Sequence, residues 1–145
     1  MSLCFDFSED QIMMRDAIQT FCKEEIAPLV EEAEKTESFP LELYPKLAEM
    51  GLLGICFEEK YGGLGLDKVT QCILAEELGK TCAGIAKGIA AHVDLGSLPV
   101  AKFGTEEQKQ KYLVPSIAGE MIGALAITEP NAGTDARSIK TNAVK

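Results

Sequence analysis

The sequence of 145 residues predicts a mainly α fold, an up-and-down helical bundle followed by the first strands of a second, truncated domain. Apolar residues recur at spacings of three and four between Met14 and Leu113, which is the period of amphipathic helices. Capping boxes and helix-ending glycines divide this stretch into separate helices. Beyond Gly119 the pattern becomes extended. The length suffices for one domain with a core and is too short for two ordinary domains.

The composition is that of a soluble globular protein, with 46% hydrophobic and 26% charged residues. No run approaches the roughly 18 consecutive apolar residues of a membrane span. The formal net charge of −9 argues against nucleic-acid binding, which requires a basic surface. A nucleotide cofactor is compatible with it, because backbone N–H groups can hold phosphates. The N-terminus lacks the basic and apolar regions of a signal peptide, so the cytoplasm is the expected location.

The cysteines and the single histidine form no metal or disulfide pattern. The five cysteines occupy positions 4, 22, 56, 72 and 82, without a C-x-x-C spacing. We therefore predict neither a zinc site nor a disulfide framework. Cys22 and Cys72 fall on the apolar faces of predicted helices, and we expect both to be small buried hydrophobes rather than catalytic thiols.

Two helical pieces are predicted before residue 36. Ser8 and Gln11 form a capping box that opens a helix extending to about Ile26. Pro28 is expected to kink or restart that helix, because proline lacks the N–H that a helix interior uses. After a break at residues 37–40 a short helix follows, and Gly51 ends it in the left-handed conformation.

Three glycines follow in the loop at residues 58–67. As a dinucleotide-binding fingerprint the loop fails, because Lys68 stands where the third glycine belongs and no β-α-β unit surrounds it. The favoured interpretation is a structural turn capped by Asp67. The helix that it opens is expected to end at Gly79, with Glu77 facing outward.

Residues 83–103 are unusually rich in alanine and glycine. Glycine lowers helix propensity by roughly 1 kcal/mol relative to alanine, and small residues are retained where another backbone or a ligand comes close. Close helix packing is the favoured interpretation, the wall of a narrow pocket is the alternative, and the two are compatible. His92 lies on this helix, and a lone histidine there is more often a hydrogen-bonded interior residue than a catalyst.

The last predicted helix gives way to extended structure. Thr105 and Gln108 form a second capping box, and Gly119 closes the helical region. Residues 122–127 then predict a buried strand, and the alternation at residues 139–143 predicts the next one. Two strands do not make an independently stable sheet. We therefore expect the chain to be a fragment that stops within its second domain.

Between these strands, residues 128–135 combine Pro, Asn, Gly and Asp with two threonines. Turns of this composition expose backbone N–H groups and hydroxyls. Asn131 tolerates the left-handed backbone that such a turn can use. The stretch is therefore predicted to be a ligand-binding loop.

Several motifs, in their order along the chain, resemble those of the acyl-CoA dehydrogenase family. They are Phe7 with Met14-Arg15, Glu59-x-Tyr61-Gly62-Gly63-Leu64-Gly65, Leu95-Gly96, residues 103–113 and residues 126–135. The last, Ala-Ile-Thr-Glu-Pro-x-Ala-Gly-Thr-Asp, is the most specific. The resemblance implies an N-terminal helical domain at residues 1–120 and the start of a middle β-barrel domain at residues 121–145.

The resemblance also implies where cofactor and substrate bind. The FAD-binding residues would be Leu125, Ala126, Ile127, Thr128, Gly133 and Thr134. The substrate-binding residues would be Thr134, at the CoA moiety, and Gly88, Ala91, His92 and Leu95 in the wall of the acyl pocket. Glu129 would be a structural residue of the turn, because the family's catalytic glutamate comes from a C-terminal domain that this sequence lacks. No catalytic residue and no metal ligand is assigned here.

By the same resemblance, the intact protein would take an α-proton from an acyl-CoA and pass the β-hydrogen as hydride to FAD. Electrons would leave to an electron-transfer flavoprotein. A homo-oligomer, dimer or tetramer, is implied, in the bacterial cytoplasm or in the mitochondrial matrix after removal of a transit peptide. The fragment itself is expected to be inactive and to bind FAD weakly or not at all. A fragment of a flavin-dependent acyl-CoA oxidase and a non-catalytic helical assembly module are the alternatives.

Overall fold

The fold, obtained as a computed structural model, is described for residues 6–144. It is mainly helical, which confirms the predicted class. The α-helices are α1 (Glu9–Phe21), α2 (Ala27–Thr36), α3 (Leu43–Glu49), α4 (Lys68–Thr81), α5 (Ala83–Ala90), α6 (Leu98–Phe103), α7 (Glu106–Gln108) and α8 (Val114–Ile117). Helix α4 packs against both α1 and α5, so it is the central helix of the bundle. Within residues 6–144, no helix is long and apolar enough to cross a membrane.

The hydrophobic core lies where the apolar faces of α1, α3, α4 and α5 converge. Ile18 of α1 and Leu47 of α3 are fully buried there, as the helical spacing of the sequence predicts. Other fully buried apolar side chains are Ile26, Leu43, Leu52, Leu53, Ile55, Ile89 and Leu113. Core residues therefore come from the whole stretch between α1 and α8, and the segment that follows α8 begins at this core.

Pro28, Pro99 and Pro115 do not break the helical path, and a wider π-helical segment precedes each of the three. These segments are Cys22–Ile26, Ala91–Ser97 and Lys109–Leu113, followed two residues later by Pro28, Pro99 and Pro115. The residue before each proline donates its N–H to the carbonyl five residues earlier, namely Ala27 to Cys22, Leu98 to Val93 and Val114 to Lys109. A proline ring crowds the carbonyl four residues back, and the widened turn accommodates it.

Both predicted capping boxes are confirmed. Ser8 Oγ accepts the N–H of Gln11 at 3.2 Å, and Gln11 Oε1 accepts the N–H of Ser8 at 3.0 Å. Thr105 and Gln108 make the same pair of bonds at 3.2 and 2.9 Å. Gly51, with a φ of 73°, ends α3 in the left-handed conformation as expected.

The glycine-rich loop is a structural turn, as predicted. The N–H groups of Leu64, Gly65 and Leu66 donate to carbonyls of residues 54–57 at 2.9 to 3.0 Å, so they are not available to a phosphate. Asp67 caps α4, since its Oδ1 accepts both the N–H and the hydroxyl of Thr70 at 2.8 Å.

The prediction that Glu77 faces outward is wrong. Its side chain is buried, with 5% of the residue exposed, and Oε1 lies 2.9 Å from Lys80 Nζ. Burial raises the pKa of Glu77, but hydrogen bonds from Lys80 and Gln19 and the charge of Arg15 bring that pKa below its ordinary value. Glu77 lies on the same face of α4 as Thr70, Ile73 and Leu74, which packs inward.

The cysteines divide differently from the prediction. Cys22 is buried as expected, whereas Cys72 is exposed on the outer face of α4.

We expect a thiol reagent at about pH 8 to modify Cys72 fastest and Cys22 slowest among the cysteines at 22, 56, 72 and 82. Burial limits the access of the reagent to the Cys22 thiol. It also raises the pKa of that thiol, so a smaller fraction of it is thiolate. Mass spectrometry after timed labelling measures the order, and rapid modification of Cys22 in the folded chain would contradict it.

The two predicted strands are not formed as paired strands. Residues 122–127 form no strand, and all of them except the half-buried Gly123 are exposed, with Ile127 at 51%; the β-bridge in residues 6–144 joins only Glu129 to Ala132. The prediction of a buried strand is wrong for this chain, because a strand needs the N–H and carbonyl groups of a neighbour to complete its ladder.

Candidate functional site

The small-residue helix and the segment after α8 meet at two glycines. A Cβ atom added to Gly96 would lie 2.4 Å from the carbonyl carbon of Gly123, and one added to Gly123 would lie 3.0 Å from Gly96 Cα. The two backbones therefore touch, which only glycine permits at this separation. At Gly88 a Cβ would lie 2.4 Å from the ring of Phe39. Close packing, the favoured interpretation of the small residues, is confirmed at these positions.

His92 is an interior hydrogen-bonded residue, as predicted. It is 1% exposed, its Nδ1 accepts the N–H of Gly123 at 2.9 Å, and its Nε2 lies 3.1 Å from the carbonyl oxygen of Ser116. Because Nδ1 accepts, the proton is on Nε2, which donates to Ser116, and the ring is neutral. Burial lowers the pKa of His92, although the bond to Ser116 opposes that effect.

This geometry gives the stability of the chain a pH dependence. An imidazole ordinarily has a pKa of about 6.5, and the pKa of His92 in the folded chain is lower. As the pH falls below about 6.5, the unfolded chain therefore binds a proton that the folded chain excludes, and stability is lost. We expect the urea midpoint to fall more between about pH 7 and about pH 5.5 in the wild type than in His92→Asn. The same fall in both proteins would contradict the prediction.

The segment at residues 124–128 presents unused hydrogen-bond donors. It is exposed and belongs to no helix or strand, and none of its backbone N–H groups has a hydrogen-bond partner in the part of the chain that the structure describes. The hydroxyls of Thr128 and Thr134 are likewise exposed and unpaired there. A row of unpaired donors suits the polar edge of a planar ring or a phosphate.

Glu129 closes the loop that follows these donors. Its carboxylate accepts the N–H groups of Lys140 and Thr141 at 2.9 and 2.8 Å and the hydroxyl of Thr141. These bonds, that of the Thr141 hydroxyl first, hold the pKa of Glu129 below its ordinary value. The carboxylate is therefore ionised and engaged within its own loop, which matches the structural role expected for it.

The turn itself uses ordinary backbone conformations. In residues 6–144 the only non-glycine residue with positive φ is Glu37, so Asn131 is not left-handed, and Gly133 is not among the glycines with positive φ. A Cβ at Gly133 would meet nothing within 4 Å. The space beside Gly133 is open, and together with the free donors of residues 124–128 it fits the approach of a flat, polar ligand.

The residues predicted to line an acyl pocket share one side of the small-residue helix. Gly88 and Ala91 are half-buried, and Leu95, one turn further, is exposed. Their spacing of three and four places them in a row along the helix. His92 lies a layer deeper, between Tyr44 and the turn after α8. The row and the donor segment adjoin each other at the contact of Gly96 with Gly123.

Two residues of this site were not identified from the sequence. Ser116 and Gly123 hold the ring of His92, and both lie far from it along the chain. A glycine within the otherwise apolar run at residues 121–127 was the available signal for Gly123, because glycine inside a strand pattern marks a close backbone approach. Nothing in the sequence distinguishes the carbonyl of Ser116.

Comparison with known proteins places the chain in a family. Residues 8–120 match the family model of the acyl-CoA dehydrogenase N-terminal domain. A probable acyl-CoA dehydrogenase of Bacillus subtilis, YngJ, is 43% identical over 140 residues, covering 97% of this chain and 37% of that protein. The chain thus spans little more than a third of that relative's length.

Two solved structures share the fold. One, an acyl-CoA dehydrogenase of Bacillus anthracis complexed with FAD, is 42% identical with a TM-score of 0.87, over 93% of this chain and 23% of that one. The other is reported for the electron transferring flavoprotein of Acidaminococcus fermentans and is 44% identical with a TM-score of 0.88, over 94% of this chain and 36% of that one. The chain therefore belongs to the acyl-CoA dehydrogenase family, and residues 8–120 match the N-terminal domain of that family.

Proposed function

We propose that this chain supplies the helical domain and one wall of the FAD site of an acyl-CoA dehydrogenase, with residues 121–145 beginning the next domain. The observation that carries the proposal is the row of unpaired donors at residues 124–128, directly after the matched domain. The Bacillus anthracis relative is complexed with FAD, which supports the same cofactor here. The reaction is the oxidation of the Cα–Cβ bond of an acyl-CoA thioester.

The donor segment binds and polarises the flavin. When bound, FAD accepts the β-hydrogen of the substrate as hydride. The backbone at Leu125, Ala126 and Ile127 and the N–H and hydroxyl of Thr128 would hold the polar part of its ring. Donors fixed there stabilise the negative charge that develops on that part. Gly133, beside which the space is open, would leave room for the cofactor, and the hydroxyl of Thr134 would hold a phosphate and contact the CoA moiety.

The small-residue helix forms a wall of the acyl pocket. Gly88, Ala91 and Leu95 lie in a row. The short side chain of Ala91 leaves space for an acyl chain, whereas the ring of Phe39 fills the side-chain position of Gly88. His92 supports the wall from behind rather than from its surface. Glu129 is not the base that removes the α-proton, because its carboxylate is occupied by Lys140 and Thr141. The base is a glutamate outside these 145 residues.

The electron acceptor is an electron-transfer flavoprotein. The similarity to a chain in the Acidaminococcus fermentans structure supports this partner. A homo-oligomer is part of the proposal, as the family resemblance implies. A flavin-dependent acyl-CoA oxidase would share this architecture and differ in passing electrons to oxygen.

A chimera tests the proposal. In the chimera, residues 1–145 replace the matching part of the Bacillus subtilis relative. The unmodified relative is the control. We expect the chimera to bind FAD and its flavin absorbance to bleach with an acyl-CoA in the absence of oxygen. The 145-residue chain alone should retain little or no FAD. A folded chimera without flavin, beside a control that binds it, would refute the proposal, and rapid reoxidation by oxygen would favour the oxidase.

A further inference from the structure

We propose that His92 is a positioning residue that sets where the donor segment at residues 124–128 leaves the helical domain. The proposal rests on the function proposed above, since the donors matter only if they hold a flavin. His92 itself touches neither cofactor nor substrate in it. It acts through Gly123, the residue immediately before the segment.

The imidazole joins the two ends of the turn that follows α8. Nε2–H donates to the carbonyl of Ser116, within α8, and Nδ1 accepts the N–H of Gly123, beyond the turn. One rigid ring therefore fixes the separation and orientation of residues 116 and 123. A side chain that only donates or only accepts cannot do both.

The ring is itself held in one orientation. It meets Tyr44 edge to face, with ring centroids 5.2 Å apart and an interplanar angle of 74°. With 1% of the residue exposed, water does not replace either hydrogen bond, so rotating the ring would leave both partners unsatisfied.

A second contact acts on the same residue. Gly96, on the helix that carries His92, touches the main chain of Gly123 and Ala124. The hydrogen bond to His92 holds the N–H of Gly123 against the helix, and the contact with Gly96 prevents a closer approach. Gly123 has no freedom to slide along the helix, and its position determines the start of the donor segment.

Beyond Gly123 the chain has little else to hold it. The N–H groups of residues 124–128 make no hydrogen bond within residues 6–144, and Leu125 and Ile127 are about half exposed. The next bonded backbone group is the N–H of Glu129, which pairs with Ala132 inside the same loop. Within residues 6–144, Gly123 is therefore the residue that sets where the segment leaves the helical domain. Donors must lie about 2.7–3.1 Å from the atom they stabilise, so a small displacement at Gly123 misplaces all of them.

Two substitutions separate the two bonds of the ring. Asparagine carries an oxygen at the position of Nδ1, so His92→Asn retains an acceptor for Gly123 and loses the donor to Ser116. Glutamine carries an N–H group at the position of Nε2, so His92→Gln retains the donor and loses the acceptor. Both replace the ring by a smaller polar side chain, so they are matched for loss of packing.

Amide hydrogen exchange on the 145-residue chain tests the hydrogen bond between His92 and Gly123 in the absence of cofactor. We expect the protection of the Gly123 amide to fall about tenfold in His92→Gln and to change much less in His92→Asn. The amides of Ile18 and Leu47 in the core report global stability, and protection at Gly123 is compared with theirs. In the chimera, FAD affinity should follow the same order, with His92→Gln weakest.

Equal loss of Gly123 protection in both variants, or a loss that only follows the core amides, would overturn the proposal, because His92 would then be a packing residue. If both variants unfold, the wild type still decides: the ring nitrogen chemical shifts of its single histidine must show the Nε2–H tautomer, and the Nδ1–H tautomer overturns the proposal. A wild-type chimera that binds no FAD would refute the proposed function, while the exchange data would still decide the role of His92 toward Gly123.

Discussion

Gly63→Ala is expected to lower the free energy of unfolding by about 3 kcal/mol, at the upper end of what overpacking costs. The added methyl group would lie 2.1 Å from the carbonyl oxygen of Phe57 and 2.8 Å from that of Gly54. Both are main-chain atoms fixed by the hydrogen bonds of the loop, so no side chain can swing away to make room. Urea denaturation followed by circular dichroism measures the change.

Gly79→Ala is the matched control for this substitution. The prediction that Gly79 ends its helix is wrong, because α4 continues to Thr81; a Cβ at Gly79 meets nothing within 4 Å. Alanine should stabilise the chain by roughly 0.5–1 kcal/mol, because glycine in a helix interior costs that much in conformational entropy. If Gly63→Ala were as stable as the control, the close packing of the loop on residues 54–57 would be disproved.

Gly96→Ala is expected to displace the donor segment while leaving the bundle folded. Its methyl group would lie 2.4 Å from the carbonyl carbon of Gly123 and 2.8 Å from the nitrogen of Ala124. The helix is anchored in the core and the segment is not, so the segment moves. We expect a loss of about 2 kcal/mol in stability. In the chimera, FAD affinity should fall about tenfold, the effect of one or two misplaced hydrogen bonds.

Gly84→Ala, in the same small-residue stretch, is the control for Gly96→Ala. It distinguishes displacement of the donor segment from an effect that any alanine in this stretch would have on FAD binding. The nearest atoms to a Cβ at Gly84 lie 3.8 and 3.9 Å away, at ordinary contact distance. FAD affinity should stay near the wild-type value, and stability should not fall, because alanine is favoured over glycine in a helix. If Gly84→Ala and Gly96→Ala weakened FAD binding equally, the contact between Gly96 and Gly123 would not be the cause.

Local rules of the sequence predicted the helical body well. The capping boxes at Ser8 and Thr105, the terminating Gly51 and the cap at Asp67 all lie where their residue types placed them. Each of these features joins residues within a few positions of one another, so the sequence contains all the information that they need. The prolines were read correctly as departures from an α-helix, although the departure is a widened turn and not a break.

Predictions that depended on which side of a helix faces inward were less accurate. Glu77 was expected outside and is buried, and Cys72 was expected inside and is exposed. Helix α4 packs against α1 on one side and α5 on the other, so its buried face is wider than its apolar residues indicate and is shifted around the helix. Lys80, one turn away, compensates the buried carboxylate of Glu77. Charge pairing of this kind is not visible in a hydrophobic pattern.

The sequence by itself determined the mainly α class, the capped helix starts at Ser8, Asp67 and Thr105, the family resemblance and the loop at residues 128–135. The tertiary structure alone decided that His92 joins Ser116 to Gly123 and that Gly96 touches Gly123. It also decided that residues 124–128 are exposed and that their N–H groups are unpaired within residues 6–144. The physical reason is distance along the chain. Caps and turns are set by neighbours a few residues apart, whereas the close approach of two backbones 27 residues apart exists only after the helices have packed.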